Sequence, residues 1–412
     1  MPEQQQTFFL GRQPILDIHQ EIIGYELLFR SSEKNLSVFE SQNQACMSVI
    51  SSALSGFGFN DVLGDKAGFI NVTEEVLLGE LVEILPKEQT ILEILESVHL
   101  TEETRQRCID LKTKGYRIAL DDHVFGAEHR ELYRFVDIIK IDILATSPKA
   151  LPDIIRNFSQ FPAQMLAEKV ESADQFDECR RLGFTLFQGY FFARPTVLQK
   201  KGLEPSKIAM LRLLSRLHAE AEFSEIEESF RSAPELSINL LKLVNSVCTG
   251  LREKIRSLRH AIIILGIDKL RRWVQLAIFA CSDSRGINSP LMELAAVRGR
   301  LMEFLLMERH TLPRNSEQVE AAFMTGILSL IDVLFDTSID VIVQELGLSD
   351  EISAALLNRE GELGALLSLA ETLEQNNFTE VQDLVEKADI PLSHLLAAQI
   401  DAYNWRASVK AE

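Results

Sequence analysis

The feature that most constrains this chain is a recurring pattern of short apolar runs, each carrying an oxygen-bearing or ammonium side chain in it or at its end. Helix-like sequence separates each run from the next. The series begins at YELLFR (residues 25–30) with Glu26 and Arg30. It continues through FINV with Asn71, LEILE with Glu93, ALDD with Asp121 and Asp122, and DIIKID with Lys140 and Asp142. LAEKVE with Glu168 and Glu171, then FQGYFFARP with Gln188, complete it. In an extended strand, side chains two residues apart share a face, so Glu26, Leu28 and Arg30 point the same way. An acid and a base on one face also describe a plain ion pair. An ordered series of polar strand ends describes a (β/α) barrel that displays a site at the C-terminal ends of its strands.

The intervening punctuation supports this reading. Residues 8–18 predict a strand interrupted at Pro14, then a turn at His19-Gln20 and a hairpin-like entry into YELLFR. Residues 41–54 have helical apolar spacing and lead to a strand at residues 67–72. Thr101 is a good N-cap and Gly115 a natural helix end before RIALDD. A strand at residues 135–143, a helix near residues 151–158 and a strand at residues 165–170 follow. Ser172 then caps a helix that Gly183 ends, and LFQGYFF closes the series. The strands are expected to run parallel through crossover helices.

Around residues 195–205 the character changes. TVLQKKGLEPSK is polar, contains Gly202 and Pro205, and reads as a linker. Beyond it strand patterns nearly vanish and helix patterns succeed one another. The expected organisation is therefore α/β plus all-α, with a (β/α) TIM-like barrel over residues 1–200 and a helical domain over residues 201–412. A chain of 412 residues has room for both.

The formal net charge of −19 argues against broad binding to nucleic acid or to anionic lipid surfaces. Five cysteines, scattered and never spaced as CxxC, suggest neither a zinc ribbon nor a disulfide framework. The start lacks a basic segment followed by an apolar core, and no apolar run approaches bilayer length. The expectation is a cytoplasmic protein with no membrane or nucleic-acid partner.

Glu26, Asn71, Glu93, Asp121 and Asp122 form an all-oxygen set, which suits Mg²⁺ or Mn²⁺ better than Zn²⁺ or Cu²⁺, and several carboxylates can hold two ions. Two metals point to phosphoryl chemistry, with Glu168 able to take a proton, Lys140 to stabilise an oxyanion and Arg30 to clamp a phosphate oxygen. Asp142 or Glu171 could instead simply neutralise Lys140. Glu96, three residues from Glu93, falls on the opposite strand face and reads as a solvated strand end or a helix cap rather than a ligand. Gln188 could serve only a backbone group, and His123 and His129 receive no role.

Taken in order, ELLxR, FINV, LEILE, ALDD, DIIKID, AEKVE and FQGYFFxRP resemble the EAL family, which hydrolyses the bacterial second messenger cyclic di-GMP to its linear dinucleotide on a (β/α) barrel. The resemblance covers roughly residues 8–200. It implies metal ligands at Glu26, Asn71, Glu93, Asp121 and Asp122, with Mg²⁺ or Mn²⁺ in a two-metal site. It implies catalytic positions at Lys140, Glu168 and Glu171, and ligand-contacting positions at Gln13, Arg30, Gln188 and Arg194. One departure stands out. Where the family usually continues DDFGTGYSSL, this chain has DDHVFGAEHREL over residues 121–132, in a loop that in the family helps position a metal ligand and couples the barrel to a dimer partner.

The second half is similar to HDOD domains, regulatory relatives of HD phosphohydrolases, through LLKLVNSV (residues 240–247), SLRHAIIILG (residues 257–266) and GILSLIDVLF (residues 326–335). Ser329 and Leu330 stand where the catalytic relatives carry a His-Asp pair, and no such dipeptide occurs in the chain. Asn245 reads as a helix-packing amide. The pairing resembles EAL–HDOD signalling proteins of the YuxH type. It implies cyclic di-GMP as ligand, an unidentified protein partner for the helical domain, and room for a homodimer. Two functions follow from it: a metal-dependent phosphodiesterase, or a receptor or adaptor that keeps the barrel for its shape.

Overall fold

The computed structural model describes residues 8–31, 62–123, 125–126, 129–193, 275, 289–310, 313, 317–335, 337–346 and 348–410. The helix expected at residues 41–54, the linker at residues 195–205 and Asn245 lie outside them. So do the LLKLVNSV and SLRHAIIILG motifs. The chain divides into two compact units, Met1–Arg194 with Leu373–Gln382, and Pro195–Thr372 with Asp383–Glu412.

The first unit is built on eight strands that close into a barrel in sequence order. They are β1 (Phe8–Asp17), β2 (Ile22–Ser31), β3 (Ala67–Val72), β4 (Thr90–Ile94), β5 (Arg117–Leu120), β6 (Ile138–Asp142), β7 (Gln164–Glu168) and β8 (Leu186–Gln188). Helices α1 (Glu74–Leu78), α2 (Glu102–Thr113), α3 (Leu151–Phe158) and α4 (Ala173–Leu182) lie between strands, as crossover connections require. The expected caps are present. The Thr101 side chain accepts from Thr104 N, that of Ser172 accepts from Gln175 N, and Gly183 ends α4 with φ of 108°.

Two expectations need correction. Pro14 does not interrupt β1, which runs unbroken from Phe8 to Asp17. A proline harms a strand only where its missing N–H would have served the ladder, and β8 joins β1 only over Ile15–Asp17. Nor are all strands parallel: β1 is antiparallel to both β2 and β8, while β2 through β8 pair in parallel. The antiparallel β1–β2 pair is the hairpin entry expected from the turn at His19-Gln20; the departure from an all-parallel barrel is that the reversed β1 also closes onto β8.

The barrel interior explains how the site is supported. Ile15, Phe69, Ile91, Ala119, Ile138, Leu166 and Leu186 form one buried cluster, each from a different strand. Two residues further along stand Asn71, Glu93, Lys140, Glu168 and Gln188 on the same faces of their strands, and Asp121 just past the end of β5. Gln13 takes the equivalent place on reversed β1. A packed apolar layer thus floors a polar one. Gly24 belongs to this design, because a Cβ there would approach Ala67 O to 2.8 Å and the Phe69 ring to 3.1 Å.

The described elements from residue 290 onward are all helices, α5 (Pro290–His310), α6 (Glu317–Leu328), α7 (Ile331–Phe335), α8 (Ile339–Leu346), α9 (Asp350–Asn358), α10 (Gly361–Glu374), α11 (Phe378–Ala388) and α12 (Leu392–Lys410), and all of them but the end of α10 and the start of α11 belong to the second unit. Gly299 of α5 and Gly326 of α6 let those helices approach closely, since a Cβ on Gly326 would lie 2.6 Å from Gly299 Cα. Among the described residues no helix is long and apolar enough to cross a membrane.

Candidate functional site

Register brings several of the predicted residues into one polar layer. Gln13 stands opposite Glu26 and Asn71 opposite Glu93, while Gln188 pairs with Ile15. Glu26, Glu93, Lys140, Glu168 and Gln188 are all buried.

Lys140 is the hub. Its ammonium forms an ion pair with Glu93 and lies 2.9 Å from Glu168, 3.1 Å from Asp121 and 3.3 Å from Glu26. Burial works against the charge on Lys140. The surrounding carboxylates of Glu26, Glu93, Glu168 and Asp121 more than compensate and hold its pKa well above the ordinary lysine value. One ammonium does not balance four carboxylates. Burial, followed by repulsion from Glu26, accordingly pushes Glu93 well above the usual carboxylate range, against the pull of Lys140. Burial likewise raises Glu168 to about 8, although Lys140 opposes the shift.

Amides complete the layer. Asn71 Nδ2 donates to Glu26 at 3.3 Å, and Gln188 Nε2 donates to Glu26 at 2.5 Å and to Gln13 Oε1 at 2.9 Å. Three buried acceptors, Asn71 Oδ1, Glu93 Oε2 and Gln188 Oε1, find no donor among the described residues. Buried acceptors without donors are costly, and a surplus of negative charge beside them is a further cost. A divalent cation relieves both. Glu26, Glu93 and Glu168 each offer an oxygen, and these lie within 4.8 Å of one another. The donors are hard oxygens, so the residues present fit Mg²⁺ or Mn²⁺.

Other predicted residues stand apart. Asp122 is exposed, at the turn out of β5, with φ of 40°. Glu171 is exposed beyond β7 and does not join the cluster. Asp142 does not serve Lys140 either. It forms an ion pair with Lys169 and accepts from the amides of Leu144 and Ala145 at 2.8 and 2.9 Å, which turns the chain after β6. Glu96 is exposed. Arg30 lies in β2, and Arg194 lies outside the described residues.

Sequence reasoning assigns no role to His123 and does not single out Tyr133, which the structure joins by a hydrogen bond. Tyr133 is fully buried, its hydroxyl 2.8 Å from His123 Nε2 and accepting from Gly126 N at 2.9 Å. The available signal was a tyrosine just beyond a loop whose motif departs from the family pattern.

In the helical unit, Ser329 stands where a metal-binding His-Asp pair would be expected. Its Oγ accepts from buried Arg298 at 2.6 Å and donates to Gly326 O at 2.6 Å, while Arg298 also lies 3.5 Å from Glu371.

Comparison with known proteins covers both units. The EAL domain model matches residues 69–195 and the HDOD domain model residues 206–335. The chain is 32% identical over 407 residues to cyclic di-GMP phosphodiesterase CdgJ of Vibrio cholerae serotype O1, spanning 98% of this chain and 93% of CdgJ. It is 31% identical over 389 residues to the uncharacterized protein YuxH of Bacillus subtilis, spanning 92% and 94% of the two chains. A solved EAL domain protein from Listeria monocytogenes aligns with 46% of this chain and 88% of its own at 22% identity and a TM-score of 0.36, a likeness too loose to bear on the site. The chain therefore belongs to the same family as CdgJ and YuxH, with an EAL domain followed by an HDOD domain.

Proposed function

We propose that the protein is a cytoplasmic, metal-dependent phosphodiesterase that opens cyclic di-GMP to linear pGpG. Residues 201–412 act as an HDOD domain that regulates the barrel or binds a partner protein. The observation that carries this reading is the buried oxygen set around Lys140, with three acceptors lacking donors and more carboxylates than one ammonium can balance. Near full-length similarity to a protein named cyclic di-GMP phosphodiesterase supports the choice of substrate.

Glu26, Asn71, Glu93 and Asp121 would hold the ions, with Asp122 the further ligand implied by the motif. Bound Mg²⁺ or Mn²⁺ would acidify a water and offset charge developing on the phosphate. Glu168 is the proton acceptor for the attacking water, its buried carboxylate held 2.9 Å from Lys140 Nζ in the middle of the oxygen set. Lys140 keeps Glu168 oriented and brings a positive charge to the phosphate side of the reaction. Gln188 donates to Glu26 and to Gln13, and the two glutamines form one wall of the ligand site. Arg30 and Arg194 are the further ligand-contacting positions that the motif series implies, and Glu171 a further catalytic one.

The test separates binding from chemistry. Glu26→Ala and Asp121→Ala should lose metal binding and turnover together. Glu168→Gln should keep much of its metal and nucleotide binding while its rate falls about 10²–10⁴-fold. If Glu168→Gln turns over at the parental rate, the assignment of the base is wrong. If the parent chain binds cyclic di-GMP without hydrolysing it, the receptor reading replaces the enzyme.

A further inference from the structure

We infer that Tyr133 is a positioning residue for the Asp121-Asp122 pair, its hydroxyl clasping two points of the loop that follows β5. The inference rests on the metal-dependent function proposed above and names what sets the ligand geometry in this chain.

The argument begins where β5 ends. The Asp121 amide donates to Ile94 O at 2.9 Å, which ties it to the end of β4. At Asp122 the backbone enters the left-handed region with φ of 40°, a conformation that Asp tolerates better than most residues. A carboxylate pair on such a turn keeps its direction only if the chain is also held on the far side. That second tether is Tyr133. Its hydroxyl lies 2.8 Å from His123 Nε2, one residue beyond Asp122, and it accepts from Gly126 N at 2.9 Å.

Tyr133 is itself fixed. It is fully buried, and its ring centroid lies 5.2 Å from both Phe158 and Phe161 in edge-to-face contacts and 5.6 Å from the stacked Phe125. The His123 ring also packs edge-on to it at 5.4 Å. Aromatic packing of this kind sets a hydroxyl in place at little entropic cost. The Asp121-Asp122 pair is thus suspended between a strand on one side and a buried aromatic cluster on the other. Groups that orient metal ligands without touching the metal typically change metal affinity about 10–100-fold when removed.

The experiment uses the full chain and Mn²⁺ alone as probe. Tyr133→Phe keeps the ring and removes the hydroxyl; His123→Phe keeps an aromatic and removes Nε2, and serves if the first variant fails to fold. Mn²⁺ affinity is read by calorimetric titration, and loop order by amide hydrogen exchange. Both variants should bind Mn²⁺ about tenfold or more weakly, with faster exchange at residues 121–126 and little change in exchange of the barrel strands. In turnover the loss should fall on kcat at saturating metal rather than on KM for cyclic di-GMP. Parental Mn²⁺ affinity and unchanged exchange in the variants would overturn the inference alone. A parent chain that binds no Mn²⁺ would overturn it together with the proposed function.

Discussion

Lys140 Nζ lies 2.9 Å from Glu168 Oε1, with both side chains buried. The base proposed for the reaction and the only cation in the described cluster are therefore coupled directly. Lys140→Met removes the charge while keeping most of the volume, and leaves Glu26, Glu93, Asp121 and Glu168 facing one another. Breaking a buried ion pair from one side costs about 3–5 kcal/mol, so metal-free protein should unfold at clearly lower temperature or denaturant concentration. Mn²⁺ at about 100 times its Kd adds about 2.7 kcal/mol to any chain that binds it, and should raise the midpoints of parent and variant alike. Unfolding curves with and without Mn²⁺ check this. An unchanged metal-free midpoint would mean that the carboxylates do not depend on Lys140.

Asp142 gives a pH dependence of known sign. Burial alone would raise its pKa, but the hydrogen bonds from Lys169 and from the Ala145 and Leu144 amides prevail and hold it below the ordinary aspartate value. A carboxylate whose folded-state pKa is depressed contributes stability that is present above its unfolded value, near pH 4, and is lost as pH falls through the folded value. Asp142→Asn should therefore lower stability at pH 7, and its deficit should shrink as pH falls below the ordinary aspartate value. A deficit that stays equal as pH falls would contradict this.

Cys108 and Cys179 should be inert in the folded protein. Burial pushes the Cys108 thiol up to about 12, despite nearby Arg107, and Cys179 up to about 11. Both are buried, and the reactive species is the thiolate. Alkylation at pH 8 followed by mass spectrometry should leave both unlabelled until denaturant is added. Rapid labelling of either in the native state would mean that its surroundings open.

The helical unit should hold no catalytic metal. Ser329 is already engaged by the Arg298 guanidinium, a fixed cation at the position where a metal-binding pair would be required. Metal analysis of the Glu26→Ala, Asp121→Ala double variant of the full chain should find no stoichiometric transition metal. Retained metal with phosphatase activity would place a second site outside the barrel.

Much of the site was legible in the sequence because the strand period is two. An apolar residue at Phe69, Ile91, Ala119, Ile138, Leu166 or Leu186 fixes the interior face, and the polar residue two positions on must share it. Asn71, Glu93, Asp121, Lys140, Glu168 and Gln188 follow from that rule. It fails where a strand ends. Glu171 lies past the end of β7, and Asp142 is drawn to Lys169 and the following turn, so spacing from Lys140 alone could not assign its partner. The β1–β2 hairpin was legible from the turn at His19-Gln20, but the pairing of β1 with β8 was not, because alternation does not name a strand's neighbour. The Tyr133 clasp was hidden because it joins residues ten apart through a loop with no period.

The most direct test of the central claim is incubation of the purified full chain with cyclic di-GMP and either Mn²⁺ or Mg²⁺, the nucleotides being resolved by chromatography over time. The account predicts linear pGpG as product, formed only with metal, absent from Glu26→Ala and Asp121→Ala, and reduced about 10²–10⁴-fold in Glu168→Gln. Undiminished cyclic di-GMP with either ion, in protein shown to be folded, would contradict it.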